Sequence, residues 1–186
     1  MLELLQEIDQ SLTLLVNHAN SSNADSMMVL FSHKLTWAPL YAALLFLFQK
    51  IFGWKRTAYI LLAIIINVVL TDQISVMMKE YFLRLRPCHE AGFKEMLLLA
   101  DGCGGKYGFV SSHAANTMGL AVLVLMILKN KWMTIGMICF ALVNGYSRIY
   151  LGKHYFFDVV GGFALGAFLG LIVYYGLKFA IKKFNL

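Results

Sequence analysis

Long apolar runs separated by short polar stretches dominate the pattern of residues along this chain. A membrane-spanning helix needs ~20 mostly apolar residues. Five runs come near that length, at residues 36–52, 57–78, 114–128, 132–150 and 155–180. The pattern therefore predicts an all-α fold, a polytopic membrane bundle of about five transmembrane helices.

The first 35 residues have a different pattern, and we treat residues 1–35 as an amphipathic N-terminal region. Leucine and isoleucine recur there at helical spacing, at Leu2, Leu5, Ile8, Leu12 and Leu15. This spacing predicts an amphipathic helix. Two placements remain open: the helix lies in the membrane interface, or it packs against the bundle.

Composition supports a membrane protein. The 186 residues are 60% hydrophobic and 14% charged, whereas soluble domains carry about 25% charged residues. The chain shows no linker long enough to separate two domains, so residues 1–186 are expected to form a single integral membrane domain.

The distribution of charge predicts an orientation. Residues 50–56, residues 129–131 and the tail with Lys178, Lys182 and Lys183 together hold eight basic residues and no acidic ones. Cytoplasmic loops of membrane proteins are enriched in Lys and Arg. These regions are therefore expected in the cytoplasm, and the polar loop at 79–112 is expected to face outward and to be catalytic.

That outward loop begins with a pair of cations. If the second span continues as helix through residue 86, Lys79 and Arg86 share one face about 10 Å apart along the axis, and Pro87 ends the helix. Arg86 then binds phosphate oxygens in bidentate fashion and Lys79 adds a point charge. The alternative is a pair of interfacial cations without a ligand.

The second polar group is Ser111-Ser112-His113, directly before an apolar run. Serine is a preferred N-cap residue, and the first N–H groups of a helix favour an anion. Ser111 then donates its hydroxyl to a phosphate oxygen, and His113 protonates a leaving oxygen. A capping serine beside a surface histidine is the alternative.

The third group contains a histidine and an aspartate at i and i+4. At this spacing, His154 and Asp158 are expected to face each other on one helix surface. A carboxylate bonded to one imidazole nitrogen leaves the other nitrogen free as a nucleophile, and Arg148 neutralises the phosphoryl group in the transition state. The alternative is a buried structural pair.

Together these groups resemble the type 2 phosphatidic acid phosphatase family, membrane lipid-phosphate phosphatases related to the vanadium haloperoxidases. The resemblance rests on nine positions: Lys79, Arg86, Pro87, Ser111, His113, Ser147, Arg148, His154 and Asp158. The family usually has Pro-Ser-Gly-His in its second motif, whereas this chain has Val110 and Ser112 in place of the proline and glycine.

The resemblance implies roles for these residues. His154 attacks phosphorus to form a phosphohistidine, Asp158 orients it, and His113 protonates the leaving group. The phosphate oxygens are held by a larger set, namely Lys79, Arg86, Ser111, Arg148 and backbone N–H groups near Ser112. No metal and no cofactor are expected, because the cations supply the charge that a metal supplies elsewhere.

Two smaller features complete the pattern. Cys88 and Cys103 lie in the same outward loop, where an oxidising compartment permits a disulfide; two free thiols are the alternative. Glycines at 161, 162, 166 and 170 mark a small face on the fifth span, which favours close helix packing.

Two classes of function follow. The first is an outward-facing lipid phosphatase. As its substrate, undecaprenyl diphosphate is weakly favoured over phosphatidylglycerol phosphate, phosphatidic acid and lipid A 1-phosphate. The expected partners are a lipid phosphate substrate and membrane lipids, without nucleic acid, in a bacterial inner membrane with the site facing the periplasm or outside. The second is a non-enzymatic transporter or partner-binding subunit. A vanadium haloperoxidase is a weaker option because those relatives are typically soluble.

Overall fold

The computed structural model describes residues 2–184 and confirms the all-α class. Six α-helices follow one another along the chain: α1 (Leu2–Asn17), α2 (Ser22–Ser32), α3 (Ala38–Phe82), α4 (Ser112–Leu128), α5 (Lys131–Tyr150) and α6 (Phe156–Lys183). Three short 3-10 helices lie in the connections, at Lys34–Trp37, Pro87–His89 and Lys94–Met96. The loop between α3 and α4 covers residues 83–111, slightly less than the expected 79–112.

Helix α3 is two helices joined at one glycine. Gly53 has φ 71° and ψ 169°, which are not helical values. Tyr41 and Val68 line the same cavity, although they would be about 40 Å apart along a straight helix. The chain therefore folds back at Gly53 into two limbs, residues 38–52 and 54–82, and the connection expected at residues 50–56 contracts to this single residue.

The apolar segments have the character of membrane-spanning helices. Within residues 2–184, the segments Lys34–Phe82 and Phe156–Lys183 are long and apolar enough to cross a membrane, each with mean hydropathy 2.1. Because the first segment folds back at Gly53, its limbs correspond to the first two expected spans. Ser112–Leu128 is a shorter apolar helix, and the total of five spans stays a prediction.

Helices α4 and α6 pack closely along the expected glycine face. A Cβ atom at Gly166 would lie 2.1 Å from the carbonyl oxygen of Ala115, and one at Gly162 would lie 2.5 Å from that of Ser111. Only a residue without a side chain fits at these contacts. The close packing predicted from the glycine spacing is confirmed, and it brings the N-termini of α4 and α6 together.

Helix α1 packs on the bundle through its polar face. Asp9, Thr13 and Asn17, at successive helical turns, are 1%, 0% and 0% exposed. The side-chain amide of Asn17 donates to the carbonyl oxygens of Leu98 at 2.9 Å and Tyr150 at 2.7 Å. The apolar face, which includes Leu4, Leu5, Ile8 and Leu15, is exposed. The leucine spacing thus predicts the helix correctly, but its polar stripe makes the contact with the protein.

Helix α2 is an element that the sequence analysis did not identify inside residues 1–35. The Ser21 hydroxyl caps its N-terminus by accepting a hydrogen bond from the Ala24 N–H at 3.3 Å. Asp25 accepts a hydrogen bond from the Tyr150 hydroxyl at 2.7 Å. These contacts fix α2 beside the C-terminal end of α5.

Candidate active site

The three groups of polar residues meet at one end of the bundle. Residues from all three groups line a cavity of about 430 Å³, which we call the polar cavity, whereas Lys79, Ser111 and Asp158 lie behind its walls. Its walls include Arg86 from the α3–α4 loop, Ser112 and His113 from the start of α4, Arg148 from the end of α5, and His154. Residues far apart in the sequence therefore share one site.

Arg86 reaches the polar cavity from the loop and not from a helix. Helix α3 ends at Phe82, and Leu83 has a left-handed φ of 50°. The expectation that Lys79 and Arg86 share one helical face is therefore wrong. Instead, the Arg86 guanidinium donates to the carbonyl oxygens of Tyr107 at 3.1 Å and Cys103 at 3.2 Å, so the loop itself orients it.

A disulfide closes this loop. Cys88 and Cys103 are bonded, with their Cα atoms 6.0 Å apart. The same two sulfurs and His89 form a group of three potential metal-ligand atoms within 4.8 Å of one another. Because both sulfurs belong to the disulfide, neither is a thiolate ligand in this structure.

Ser112 contacts the lysine of the first motif. The Lys79 ammonium donates to the Ser112 hydroxyl at 2.5 Å, and the hydroxyls of Ser75 and Ser112 lie 2.6 Å apart. The family usually has glycine at the position of Ser112. In this chain the added hydroxyl, together with Ser75 from α3, holds the Lys79 side chain beside the N-terminus of α4.

Two buried polar atoms at this end of the bundle have no hydrogen-bond partner among the described residues: the Ser111 hydroxyl and the Nε atom of Arg148. Another nitrogen of Arg148 donates to the Ser32 hydroxyl. An unsatisfied buried polar group costs about 1–3 kcal/mol. Arg148 lines the polar cavity, and a donor left unpaired there is suited to an anionic ligand that accepts hydrogen bonds.

His154 and Asp158 form a buried pair. The Nδ1 atom of His154 lies 3.4 Å from Oδ2 of Asp158, and the two side chains are 2% and 0% exposed. His154 lies in the α5–α6 loop and Asp158 in the first turn of α6, so the expected placement on one helical surface is wrong although the contact forms. The N–H of Tyr155 also donates to this oxygen, at 3.0 Å.

The surroundings of His154 favour a neutral imidazole. Burial first, and then the positive charges of Arg86 and Arg148, hold the pKa of His154 well below its usual range. A neutral ring with a proton on Nδ1 carries a free electron pair on Nε2. That arrangement suits nucleophilic attack on phosphorus.

Arg84 contacts Asp158, and Asp9 in turn contacts Arg84; the sequence analysis missed both residues. Arg84 donates to Oδ1 of Asp158 at 2.8 Å and to Oδ2 of Asp9 at 2.5 Å. Asp9 belongs to the buried polar stripe of α1, whose i, i+4, i+8 spacing was a usable signal. Arg84 has no comparable signal, because its partners are 75 and 74 positions away in the sequence.

Ser147, one of the nine positions of the resemblance, has a local contact. Its hydroxyl donates to the carbonyl oxygen of Asn144 at 2.7 Å, within α5. This back-bonding satisfies a fully buried hydroxyl.

Comparison with known proteins gives a consistent family. The PAP2 superfamily model matches residues 56–182. The lipid A 4'-phosphatase of Bacteroides thetaiotaomicron is 35% identical over 178 residues, which cover 94% of this chain and 79% of that protein. The undecaprenyl-diphosphatase of Sulfolobus acidocaldarius is 27% identical over 161 residues, or 85% of this chain and 73% of that protein.

A solved structure has the same fold. The transmembrane PAP2 type phosphatidylglycerolphosphate phosphatase from Bacillus subtilis superposes with a TM-score of 0.72 at 21% identity, covering 97% of this chain and 89% of that one. The match over most of both chains agrees with the helical order described above. From its family model, its relatives and its apolar helices, the chain belongs to the PAP2 superfamily and is an integral membrane phosphatase.

Proposed function

We propose that the protein hydrolyses a phosphate monoester of a lipid whose head group carries hydrogen-bond donors, with a lipid A 4'-phosphate as the favoured substrate. The observation that carries this proposal is a carboxylate and an amide placed between the polar cavity and an apolar cleft. The relative from Bacteroides thetaiotaomicron, which is 35% identical to this chain and is named a lipid A 4'-phosphatase, supports the same substrate.

The proposed reaction has two steps. In the first, Nε2 of His154 forms a bond to phosphorus while the bond to the ester oxygen breaks, and His113 gives its proton to that oxygen. In the second, His113 takes a proton from water, whose oxygen attacks the phosphohistidine and releases inorganic phosphate. Asp158 keeps His154 oriented in both steps, as a carboxylate does for imidazole in other enzymes.

The proposed phosphate site uses charge in place of a metal ion. Arg86 and Arg148 line the polar cavity, and Lys79 lies on Ser112 at its edge. Fixed cations and hydrogen-bond donors stabilise the charge that develops on the three phosphoryl oxygens. The unpaired Ser111 hydroxyl and the N–H groups at the start of α4 add neutral donors.

A second, apolar cavity supports a lipid substrate. It has a volume of about 260 Å³ and lies between the two limbs of α3 and helix α4. Most of its walls are aliphatic or aromatic, namely Leu44, Leu45, Phe48, Leu61, Ile64 and Leu120. We call this second cavity the apolar cleft. Asn116 and Thr117 line both the apolar cleft and the polar cavity. A single lipid can therefore place its hydrocarbon chain in the cleft and its phosphate in the polar cavity.

The polar group at this junction favours a head group with donors. Asp72 lines the polar cavity and accepts a hydrogen bond from the Asn116 amide at 2.7 Å; Asn116 in turn accepts one from Thr71. A carboxylate inside a membrane segment is costly and usually functional. A sugar hydroxyl or amide N–H satisfies Asp72, whereas an isoprenyl chain cannot, and a second phosphate is repelled.

Undecaprenyl diphosphate, which the sequence alone weakly favours, is the second candidate. The Sulfolobus acidocaldarius relative carries that activity in its name. Its identity to this chain is lower than that of the lipid A relative, and its substrate gives Asp72 no donor. We therefore place it below a lipid A phosphate.

Phosphate release from a panel of purified lipids tests the proposal. Wild-type protein is expected to act on lipid A 4'-monophosphate faster than on undecaprenyl diphosphate. Asp72→Asn removes the charge and should reduce that preference by roughly 10-fold or more, since a hydrogen bond to a charged group contributes about 1.5–3 kcal/mol. Glu80→Gln, an exposed acid on the same helix, is the matched control and should leave the preference unchanged. A wild-type preference for the diphosphate would reject the proposed substrate.

We also propose that the polar cavity faces the periplasm or the outside of a bacterial inner membrane. At the opposite end of the bundle, one region of the surface is lined by Arg56 from α3, Lys129 from the connection after α4, and Lys178 from α6. Lys182 and Lys183 lie in the last turn of α6. This clustering of basic residues is typical of a cytoplasmic face.

A further inference from the structure

We infer that Arg84 and Asp9 are positioning residues of the catalytic machinery, which fix the carboxylate of Asp158 against His154 and so make helix α1 a part of the active site. The inference rests on the proposed roles of His154 and Asp158. It assigns a function to two residues that are not among the nine positions of the resemblance.

The two oxygens of Asp158 have different partners. Oδ1 accepts a hydrogen bond from Arg84 at 2.8 Å, whereas Oδ2 faces His154 and accepts from the N–H of Tyr155 at 3.0 Å. The Asp158 side chain is 0% exposed, so its hydrogen bonds are made with protein groups. Arg84 therefore determines which oxygen is presented to the imidazole.

Asp9 holds the other side of the Arg84 guanidinium. One Asp9 oxygen accepts from Arg84 at 2.5 Å, and the other accepts from the N–H of Phe157 at 2.8 Å. The neighbouring N–H, that of Phe156, donates to the Thr13 hydroxyl at 3.1 Å. Helix α1 thus binds two of the free N–H groups at the start of α6, in the same first turn of the helix as Asp158.

The position of Arg84 is itself fixed on two sides. Its guanidinium lies over the ring of Tyr155, 4.4 Å from the centroid, and its carbonyl oxygen accepts from the N–H of Gly108 at 2.9 Å. A side chain at Gly108 would lie 2.7 Å from Asp158, so the loop backbone closes over the carboxylate. A planar guanidinium can bridge two carboxylates in this space, and a lysine ammonium cannot reproduce that fork.

Kinetics of Arg84→Lys and Asp9→Asn test the inference. Substitution of a residue that orients a catalytic ligand typically costs about 10–100-fold. We expect losses of this size in kcat, with little change in KM because neither residue lines the polar cavity. Glu7→Gln, an exposed acid on the same helix, is the control and should leave kcat unchanged.

A double-mutant cycle separates positioning from general structural support. If Arg84 acts through Asp158, Arg84→Lys should cause almost no further loss of kcat in an Asp158→Asn background, because coupled residues are not additive. The cycle is measured on p-nitrophenyl phosphate as well as on a lipid monophosphate, so a wrong lipid substrate changes only the lipid series. Folding is followed by thermal melts.

Three results would overturn the inference. They are wild-type kcat in both single variants, an undiminished loss of kcat when Arg84→Lys is added to Asp158→Asn, and failure of both single variants to fold. The last result would assign the network to stability and not to alignment of Asp158.

Discussion

Two histidines line the polar cavity, and their different surroundings suit them to different catalytic roles. His154 is held by a buried carboxylate, which suits a nucleophile with one fixed tautomer. His113 lies in the first turn of α4, next to the N–H groups that favour a phosphate. We therefore expect attack by His154 and proton transfer by His113.

Substitution of the two histidines should produce different defects. His154→Ala removes the attacking nitrogen and should abolish turnover of every substrate. His113→Ala should lower turnover of a lipid monophosphate by about 10²–10⁴-fold, the usual contribution of general acid–base catalysis. Its loss in the first step should be much smaller with p-nitrophenyl phosphate, whose phenolate leaves without a proton. The measurement is the initial burst of p-nitrophenol and the steady-state release of phosphate.

A thermal melt of each variant checks that it is folded before its activity is compared with that of the wild type. Equal losses in burst rate and lipid turnover for His113→Ala would contradict its role as the acid. Substantial turnover by His154→Ala would contradict the nucleophile.

At the scale of residues, sequence spacing predicts contacts between residues that are close together in the sequence. The His154–Asp158 contact follows from a separation of four residues, although the helix begins between them. The Arg84–Asp9 contact joins residues 75 positions apart and depends on how α1 packs against the bundle. The extra contact of Ser112 with Lys79 also depends on folding, because it joins the ends of α3 and α4.

The close packing of α4 against α6 is the element that brings the second and third motifs together. Gly166→Ala would place a methyl group against the backbone carbonyl of Ala115, 2.1 Å away, where no side chain can move aside. We expect a loss of about 1–3 kcal/mol, the usual cost of overpacking, and a lower midpoint in a thermal melt in detergent.

Gly176→Ala on the same helix is the control, because a Cβ atom there would meet nothing within 4 Å. It should be neutral or stabilising by up to about 1 kcal/mol, since alanine favours a helix over glycine. Equal melting midpoints for the two variants would show that the α4–α6 contact is not as close as described.

Helices that follow strong apolar runs are predictable from the sequence, and their connections are less so. Runs at residues 114–128 and 132–150 give the bounds of α4 and α5 within two residues. The sequence predicts a connection of seven residues, 50–56, where the structure has a reversal at Gly53 alone. The basic residues in this stretch suggest a polar loop, but they do not show that one glycine is enough for the turn. Helix α2 was missed since its apolar residues do not form a clear face and its stability depends on contacts with α5.

At the scale of the whole molecule, the two ends of the bundle differ in chemistry. One end holds the polar cavity, and the other presents Arg56, Lys129 and Lys178. This asymmetry predicts that the cavity end faces outward. Single cysteines at residues 106 and 130 test the orientation, because both positions are exposed and lie at opposite ends.

The labelling uses a Cys139→Ser background, which removes the free thiol and keeps the disulfide. A membrane-impermeant maleimide added to intact cells or spheroplasts should label Lys106→Cys and not Asn130→Cys. Both should react after the membrane is permeabilised. Labelling of residue 130 alone before permeabilisation would reverse the orientation.

The central claim is phosphoryl transfer through His154 without a metal ion, and one measurement tests it most directly. His113→Ala protein is mixed with p-nitrophenyl phosphate in EDTA, quenched under alkaline conditions during the burst, and analysed by peptide mass spectrometry. We expect a phosphoryl group on His154, which persists because the residue that activates water is absent. A phosphoryl group on another residue, or a burst that EDTA abolishes and Mg²⁺ restores, would contradict it.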